Sequence, residues 1–341
     1  MLRETLRKAA DGESLTEGEA ERALETIMEG TVAPAATAAL LTALRVKGEA
    51  VPEIVGFARA MRRFAAKVEA PAGVVDTCGT GGDAKGTINV STAAAFVARG
   101  AGVVVAKHGN RAATSRAGSA DVLEALGAQI DLTPEEVSRC IAEVGLGFMF
   151  ARTHHPAMRF VAPVRAELPF RTVFNLLGPL TNPAGARRQL VGVFGGAYVR
   201  PVAEALRDLG AEKALVVHGE DGMDEITVTG TTLIAEVTDG EIVEYELSPE
   251  DCGLYRYAPD GLLGGDAHLN ARILRDVLAG EESGAARDVV LLNAGAAIHV
   301  SGEAKTIEQG VRLAEESVSE GAASKALEDF VKTTRRLSGT A

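Results

Sequence analysis

The chain has 341 residues, 46% of them hydrophobic, with 38 glycines, no tryptophan and a formal charge of −12. That length allows two domains, and the composition excludes a disordered or collagen-like protein and fits an α/β one. The negative charge disfavours nonspecific binding to nucleic acid or to a membrane surface. Three scattered cysteines (Cys78, Cys140, Cys252) lack CxxC spacing, so neither a disulfide framework nor a zinc site is expected. No signal peptide or membrane-length apolar run is visible, and the cytoplasm is the expected location.

Residues 1–70 carry helical patterns and no strand. Thr16-Glu17-Gly18-Glu19 spells a capping box, after which Ala20, Ala23, Leu24, Ile27 and Met28 share one face. Gly30 ends that helix, Pro34 opens a second that Gly48 closes, and Pro52-Glu53 starts a third with Ile54, Phe57, Ala58 and Met61 on one side. Short helices with such alanine-rich faces must pack on the body of the protein or on another subunit. The expectation is a helical dimerisation domain.

From residue 71 the pattern changes to βα alternation, that of a mostly parallel sheet covered by helices. Val74-Val75 reads as a short buried strand, followed by a glycine-rich loop, Asp76-Thr77-Cys78-Gly79-Thr80-Gly81-Gly82-Asp83, and a helix over Ser91–Arg99. Strand, glycine loop and helix start aim backbone N–H groups and a helix dipole at an anion. Thr87, Asn89, Ser91 and Thr92 add short polar side chains suited to phosphate oxygens or a hydrated metal. The loop is neither GxGxxG nor GxxxxGK[ST], so no dinucleotide or Walker-type site is indicated. Cys78 has no base nearby in sequence and is not expected to act as a nucleophile.

Gly102–Ala106 reads as a second strand running into Lys107-His108-Gly109-Asn110-Arg111. With Thr114, Ser115, Arg116, Gly118 and Ser119 this makes a second anion-binding loop at the carboxyl edge of the sheet, where ligands of open α/β sheets collect. Thr133-Pro134-Glu135-Glu136 is a capping box, and Leu146–Phe150 is a strand. The adjacent His154 and His155 suit packing or a substrate edge better than a metal. Arg165, on an otherwise apolar helix, reads either as an ordinary surface residue or as a bidentate partner for a carboxylate. Arg171–Pro183 reads as a short helix and a rigid turn.

Leu190–Phe194 and Ala214–Val217 are further strands, with a helix over Val202–Leu209 between them. The second runs into His218-Gly219-Glu220-Asp221-Gly222-Met223-Asp224-Glu225, whose four carboxylates suit Mg²⁺ shared with substrate phosphates or a solvated turn. Thr232–Val237 and Glu241–Tyr245 form a hairpin about Asp239-Gly240. The remainder reads as helices near 265–279, 285–299, 303–319 and 321–336, a layer over the sheet.

Taken together, Asp76–Asp83 with Asn89-Val90-Ser91-Thr92, Lys107–Arg111, Gly118-Ser119-Ala120-Asp121, His155-Pro156-Ala157-Met158, Arg171–Pro183 and Asp224-Glu225 resemble the anthranilate phosphoribosyltransferases over nearly the whole chain. The resemblance implies an α/β fold like that of nucleoside phosphorylases: a small N-terminal helical domain beside a larger α/β domain with a mostly parallel central sheet. It implies a helical domain over 1–70, joined by a later helix near 165–180 and forming a homodimer, and an α/β domain over 71–341 that binds phosphoribosyl pyrophosphate. The implied reaction joins anthranilate to that donor, releasing pyrophosphate, with Mg²⁺, in tryptophan biosynthesis. Gly79, Gly82, Asp83, Thr87, Asn89, Val90, Ser91 and Thr92 are implied to hold the donor. Lys107, His108, Gly109, Asn110, Arg111, Ala112, Ala113, Thr114, Ser115 and Ser119 are implied to close over its phosphates. Gly79, Asn110 and Arg165 would meet anthranilate, and Ser91, Asp224 and Glu225 the metal.

Ala112 and Ala117 stand where many members of the family have serine, and Pro169 where glycine is commoner. The sequence leaves association with an amidotransferase subunit open. Two other readings are a pyrimidine-nucleoside phosphorylase and a degenerate relative that binds nucleic acid; the Asp224-Glu225 pair speaks against both, the glycine loop against the first and the −12 charge against the second.

Overall fold

The computed structural model describes residues 2–82, 85–112 and 116–339. Four helices open the chain, α1 (Leu2–Ala10), α2 (Glu17–Met28), α3 (Pro34–Lys47) and α4 (Val51–Phe64), where the sequence pattern marks three. The Thr16 capping box forms as expected, with Glu19 N donating to Thr16 Oγ1 and Thr16 N to Glu19 Oε2. Buried Glu53 ties the bundle together by accepting from Leu15 N at 2.8 Å and from Lys47 Nζ at 2.9 Å.

The α/β part then runs β1 (Val75–Gly79), α5 (Val90–Gly100), β2 (Val105–Gly109), α6 (Ser119–Ala125), α7 (Pro134–Val144), β3 (Leu146–Phe150), α8 (Ala151–His154), α9 (Ala162–Glu167) and α10 (Phe174–Leu177). It continues with β4 (Arg188–Gly192), α11 (Val199–Asp208), β5 (Lys213–Gly219), β6 (Thr232–Thr238) and β7 (Glu241–Leu247). Four helices close it: α12 (Ala267–Leu278), α13 (Ala285–Ser301), α14 (Ile307–Ser319) and α15 (Ala322–Leu337).

The seven strands lie in the order β3-β2-β1-β4-β5-β6-β7; neighbours among the first five are parallel, and β6 and β7 add an antiparallel hairpin. One face of the sheet is covered by α5 and by α13, a helix buried almost throughout. On the other face the bundle core is continuous with α11 and with the inward side chains of β4–β6, through Val191, Val193, Val216, Ala235 and Val237. Segment 157–180 packs into that same core, with α9 against α3 and α10 against α4. Burial on both faces explains why the central strands read as near-continuous apolar runs.

Two strands lie further along the chain than their composition suggests. β1 includes Asp76 and Thr77, and β2 includes Lys107 and His108, all assigned to loops on sequence. These polar side chains tolerate a buried strand because each has a partner. Asp76 accepts from His108 N at 3.0 Å and from Asn182 Nδ2 at 2.8 Å, and Thr77 Oγ1 donates to Ser91 O at 3.0 Å. β4 likewise begins at Arg188 and ends at Gly192, two residues before the apolar run does.

Candidate active site

Four parallel strands, β1, β2, β4 and β5, each finish on glycine: Gly79, Gly109, Gly192 and Gly219. At each, the acidic turn or the strand's own following segment lies so close that a Cβ would collide with it. Such a Cβ would lie 2.5 Å from Asp224 Oδ2 at Gly79, 2.4 Å from Ser119 Oγ at Gly109, 1.5 Å from Asp224 O at Gly192 and 2.6 Å from Asp221 Oδ1 at Gly219. Glycine in a strand marks close approach of another backbone or a ligand, and here it lets the loops fold down over the carboxyl edge of the sheet.

Beyond β1, Gly81 and Gly82 have φ of 68° and 78°, a region that suits glycine and turns the loop back toward the acidic turn after β5. Gly81 N donates to Asp224 Oδ2 at 2.6 Å, and Ser91 N, in the first turn of α5, donates to Glu225 Oε1 at 3.2 Å. The glycine loop, the N-terminus of α5 and the Asp224-Glu225 pair are therefore one assembly. Of the four carboxylates in the acidic turn only this pair faces the loop. Asp221 is turned inward, accepting from Met223 N, Thr227 Oγ1 and Thr229 Oγ1, and Glu220 accepts from Thr231 N.

Lys107 reaches across from β2. Its buried Nζ donates to Thr77 O and, at 3.2 Å, to Ser91 Oγ. Burial pushes the ammonium down and the Asp76 carboxylate opposes that shift, while burial also drives Asp76 upward. Burial, then Asp76, hold the Cys78 thiol well above its usual range. Val90 and Thr92 are buried in α5, so Val90 can offer a ligand only backbone, and Thr92 Oγ1 has no hydrogen-bond partner among the described residues. Thr87 pairs with Leu263 in an antiparallel bridge. Gly82 O accepts from Arg171 Nη2, and the Arg171 guanidinium stacks 4.2 Å from the Phe194 ring.

The second loop is organised by Asp121, whose Oδ2 accepts from Ala112 N at 3.0 Å and Gly118 N at 2.9 Å. Asn110 O accepts from Ser119 Oγ and Ala120 N, which closes the loop on the start of α6. Arg111 turns away to pair with Asp121 and Glu124, with its guanidinium 5.5 Å from the Phe150 ring. Asp83, Ala113, Thr114 and Ser115 lie outside the described residues.

Beside the carboxyl end of β2, His108 Nδ1 donates to Gly178 O at 3.2 Å, and its ring lies 5.0 Å from that of His155. Burial pushes both imidazoles down, His155 to about 4, so both are neutral. His154 bonds through Nδ1 to Phe150 O. Arg165 is largely buried with its guanidinium 5.4 Å from the Phe174 ring, and among the described residues no carboxylate pairs with it. Desolvation lowers its pKa, so a carboxylate ligand would regain lost charge stabilisation.

Three buried or stacking groups of this frame carry no local sequence signal: Asp76 with Asn182, which lock β1 to β2; Asn293, which bonds both N and O of Ile226 just after the acidic pair; and Arg171 on Phe194. Only the run of breakers around Asn182 hints at any of them.

The glycosyl transferase family a/b domain model matches residues 71–324, and the glycosyl transferase family helical bundle domain model matches residues 3–65. The chain is 81% identical over 339 residues to the anthranilate phosphoribosyltransferase of Rubrobacter xylanophilus, covering 99% of each chain. The crystal structure of the Thermus thermophilus anthranilate phosphoribosyltransferase superposes with a TM-score of 0.93 at 50% identity, over 97% of this chain and 99% of that one. The Saccharomyces cerevisiae anthranilate phosphoribosyltransferase in complex with PRPP and Mg gives 0.90 at 28% identity, over 98% of each. With the four-helix bundle, the β3-β2-β1-β4-β5 sheet and the loops gathered at its carboxyl edge, these matches establish that the chain belongs to the anthranilate phosphoribosyltransferases of the glycosyl transferase family.

Proposed function

We propose that this chain transfers the phosphoribosyl group of phosphoribosyl pyrophosphate to the amine of anthranilate, giving N-(5-phosphoribosyl)anthranilate and pyrophosphate in tryptophan biosynthesis. One observation carries the reading: Gly81 N donates to Asp224 and Ser91 N to Glu225, while Lys107 Nζ donates to the side chain of that same Ser91, so the glycine loop, the start of α5, the buried cation and the acidic pair meet at one place. Gly79, Gly82, Asp83, Thr87 and Asn89–Thr92 hold the donor. Lys107 and the loop through Ser115, with Ser119, complete its phosphate site. Arg165 pairs with the anthranilate carboxylate, and Asn110 and Gly79 border the ring.

The residues fit Mg²⁺. Ser91, Asp224 and Glu225 offer oxygen alone, the preference of a hard cation, and Ser91 Oγ already accepts from an ammonium. Among the described residues no three of His, Cys, Asp or Glu converge, which leaves other coordination positions to water and phosphate oxygen. When bound, Mg²⁺ neutralises charge on the departing pyrophosphate.

The chain's own part is binding, orientation and charge. The anthranilate nitrogen, an aromatic amine unprotonated at neutral pH, supplies the electron pair for the new bond to the anomeric carbon. The bond from that carbon to pyrophosphate oxygen breaks, and pyrophosphate leaves with its electrons. The nitrogen then loses a proton to solvent, so no protein nucleophile or strong base is needed. Gly81 N and Ser91 N orient the Asp224-Glu225 pair, and the N-terminal end of α5 presents its dipole to the leaving group, a preorganised electrostatic effect. The Arg165 fork aims the amine, and the neutral His108 and His155 add no competing charge near it.

The helical bundle with segment 165–180 forms a homodimer in the cytoplasm. Val46 is 82% exposed on α3 and Phe160 and Phe170 are partly exposed, an apolar surface that supports this assembly; light scattering of the purified chain tests it. Chemistry is tested by incubating the chain with both substrates and Mg²⁺ and measuring pyrophosphate and the mass of the anthranilate product. Equal amounts of pyrophosphate and phosphoribosylated anthranilate support the reading; pyrophosphate without that product, or neither, contradicts it.

A further inference from the structure

Besides Asn293 on α13, the C-terminal helices build a second side chain into the frame of the site. Asn270, on α12, is 2% exposed. Its Oδ1 accepts from Gly265 N at 2.7 Å and its Nδ2 donates to Asn89 Oδ1 at 2.8 Å. Asn89 Nδ2 in turn donates to Ala117 O at 3.1 Å. The direction of this chain of bonds is set at both ends. A backbone N–H can only donate, so Asn270 presents oxygen to Gly265; a carbonyl can only accept, so Asn89 presents nitrogen to Ala117.

The backbone around it is equally constrained. Segment 262–264 runs against 86–88, with Gly264 N donating to Gly86 O at 2.9 Å and Ile88 N to Leu262 O at 3.1 Å. A Cβ at Gly264 would lie 2.6 Å from Asn270 Oδ1 and 2.8 Å from Thr87 O, so a side chain there would displace the amide or the facing segment. Asn89 follows the glycine loop and stands at the N-cap position of α5 without a side-chain capping bond, whereas Ala117 belongs to the second loop. The relay thus spans α12 and both anion-binding loops.

We propose that Asn270 is a positioning residue for phosphoribosyl pyrophosphate, holding the two phosphate loops in register through Asn89. The proposal rests on the phosphoribosyl-transfer reading and adds to it a residue distant in sequence that acts through another side chain. Among the described residues nothing comparable links Asn270 to Arg165, so the effect is specific to one of the two substrates.

Asn270→Asp retains the shape and the acceptor for Gly265 but turns an oxygen toward Asn89 Oδ1. In the purified full-length protein the KM for phosphoribosyl pyrophosphate is expected to rise about tenfold, as for loss of a well-directed buried hydrogen bond. The KM for anthranilate stays within about twofold, a split that general loosening of the fold does not produce. Adding Asn270→Asp to Asn89→Ala brings no further rise, since Asn270 acts on the donor site only through Asn89. An unchanged donor KM, equal rises for both substrates, or additive effects overturn the proposal. If Asn270→Asp does not fold, Asn270→Ser, which removes both bonds without adding charge, takes its place with the same expected split and the same overturning results. Wild-type protein that consumes no anthranilate with phosphoribosyl pyrophosphate overturns the functional reading itself, and the proposal with it, a result distinct from any difference among variants.

Discussion

Gly192 shows how far the position of the acidic pair depends on an absent side chain. In Gly192→Ala the new Cβ would lie 1.5 Å from the carbonyl oxygen of Asp224 and 2.4 Å from its carbon, where real Cβ contacts stay above 3.0 Å. The Asp224 backbone must therefore retreat by about 1.5 Å or more. Little around it can yield. β4 is held between β1 and β5, Met223 O accepts from Gly219 N at 2.9 Å, and Asn293 grips both polar atoms of Ile226. A displacement of this size at groups that orient a substrate costs about 10²-fold in rate. Overpacking itself costs about 1–3 kcal/mol, a shift of only a few degrees in Tm for a protein of this length. Steady-state kinetics with each substrate varied in turn, alongside a melting curve, separate the two. The expected result is a folded protein whose kcat/KM for phosphoribosyl pyrophosphate falls by about 10²-fold and whose demand for Mg²⁺ rises. A folded variant with wild-type donor kinetics would refute the argument that the turn crossing Gly192 carries the metal pair.

Arg165→Ala should raise the KM for anthranilate by about tenfold or more while leaving that for phosphoribosyl pyrophosphate nearly unchanged, as initial-rate kinetics will show. Asn293→Leu leaves Ile226 N and O unpaired in the core, at a cost of about 2–4 kcal/mol in denaturant unfolding. Burial holds His155 at about 4 in the folded state against 6.5 for a free imidazole, so the unfolded chain binds its proton first as pH falls. The stabilisation is complete above pH 6.5 and is lost progressively toward pH 4, amounting to about 3 kcal/mol. Replacing His155 with Asn should flatten the fall in Tm across that window; an unchanged slope would place the pH dependence on the carboxylates.

Much of this site was legible because its parts are local. The glycine loop before a helix and the Lys107–Arg111 run read as anion-binding loops from their local residues, and the four carboxylates after β5 as a metal site or a solvated turn, whereas the Asp224-Glu225 pair is singled out only by the family resemblance. The strand limits were less legible, since Asp76, Thr77 and Lys107 look like loop residues until their partners, some from residues a hundred positions away, are seen. Inward-turned Asp221, exposed Glu220 and the pair that faces the loop are alike in composition; only contacts such as those of Thr227 and Thr229 with Asp221 separate them. Asn270 and Asn293 sit in helices whose pattern speaks only of packing. Contacts made across the fold leave no periodic trace.

The central claim is that the glycine loop, Lys107 and the Asp224-Glu225 pair activate phosphoribosyl pyrophosphate for attack by anthranilate. The decay of anthranilate fluorescence on mixing with the purified chain tests it most directly, with the donor and Mg²⁺ added separately, together, and together with chelator. The account predicts decay only when both are present, its loss on chelation, and its return when Mg²⁺ is restored. Steady fluorescence in the complete mixture, or decay that ignores the donor, would contradict it.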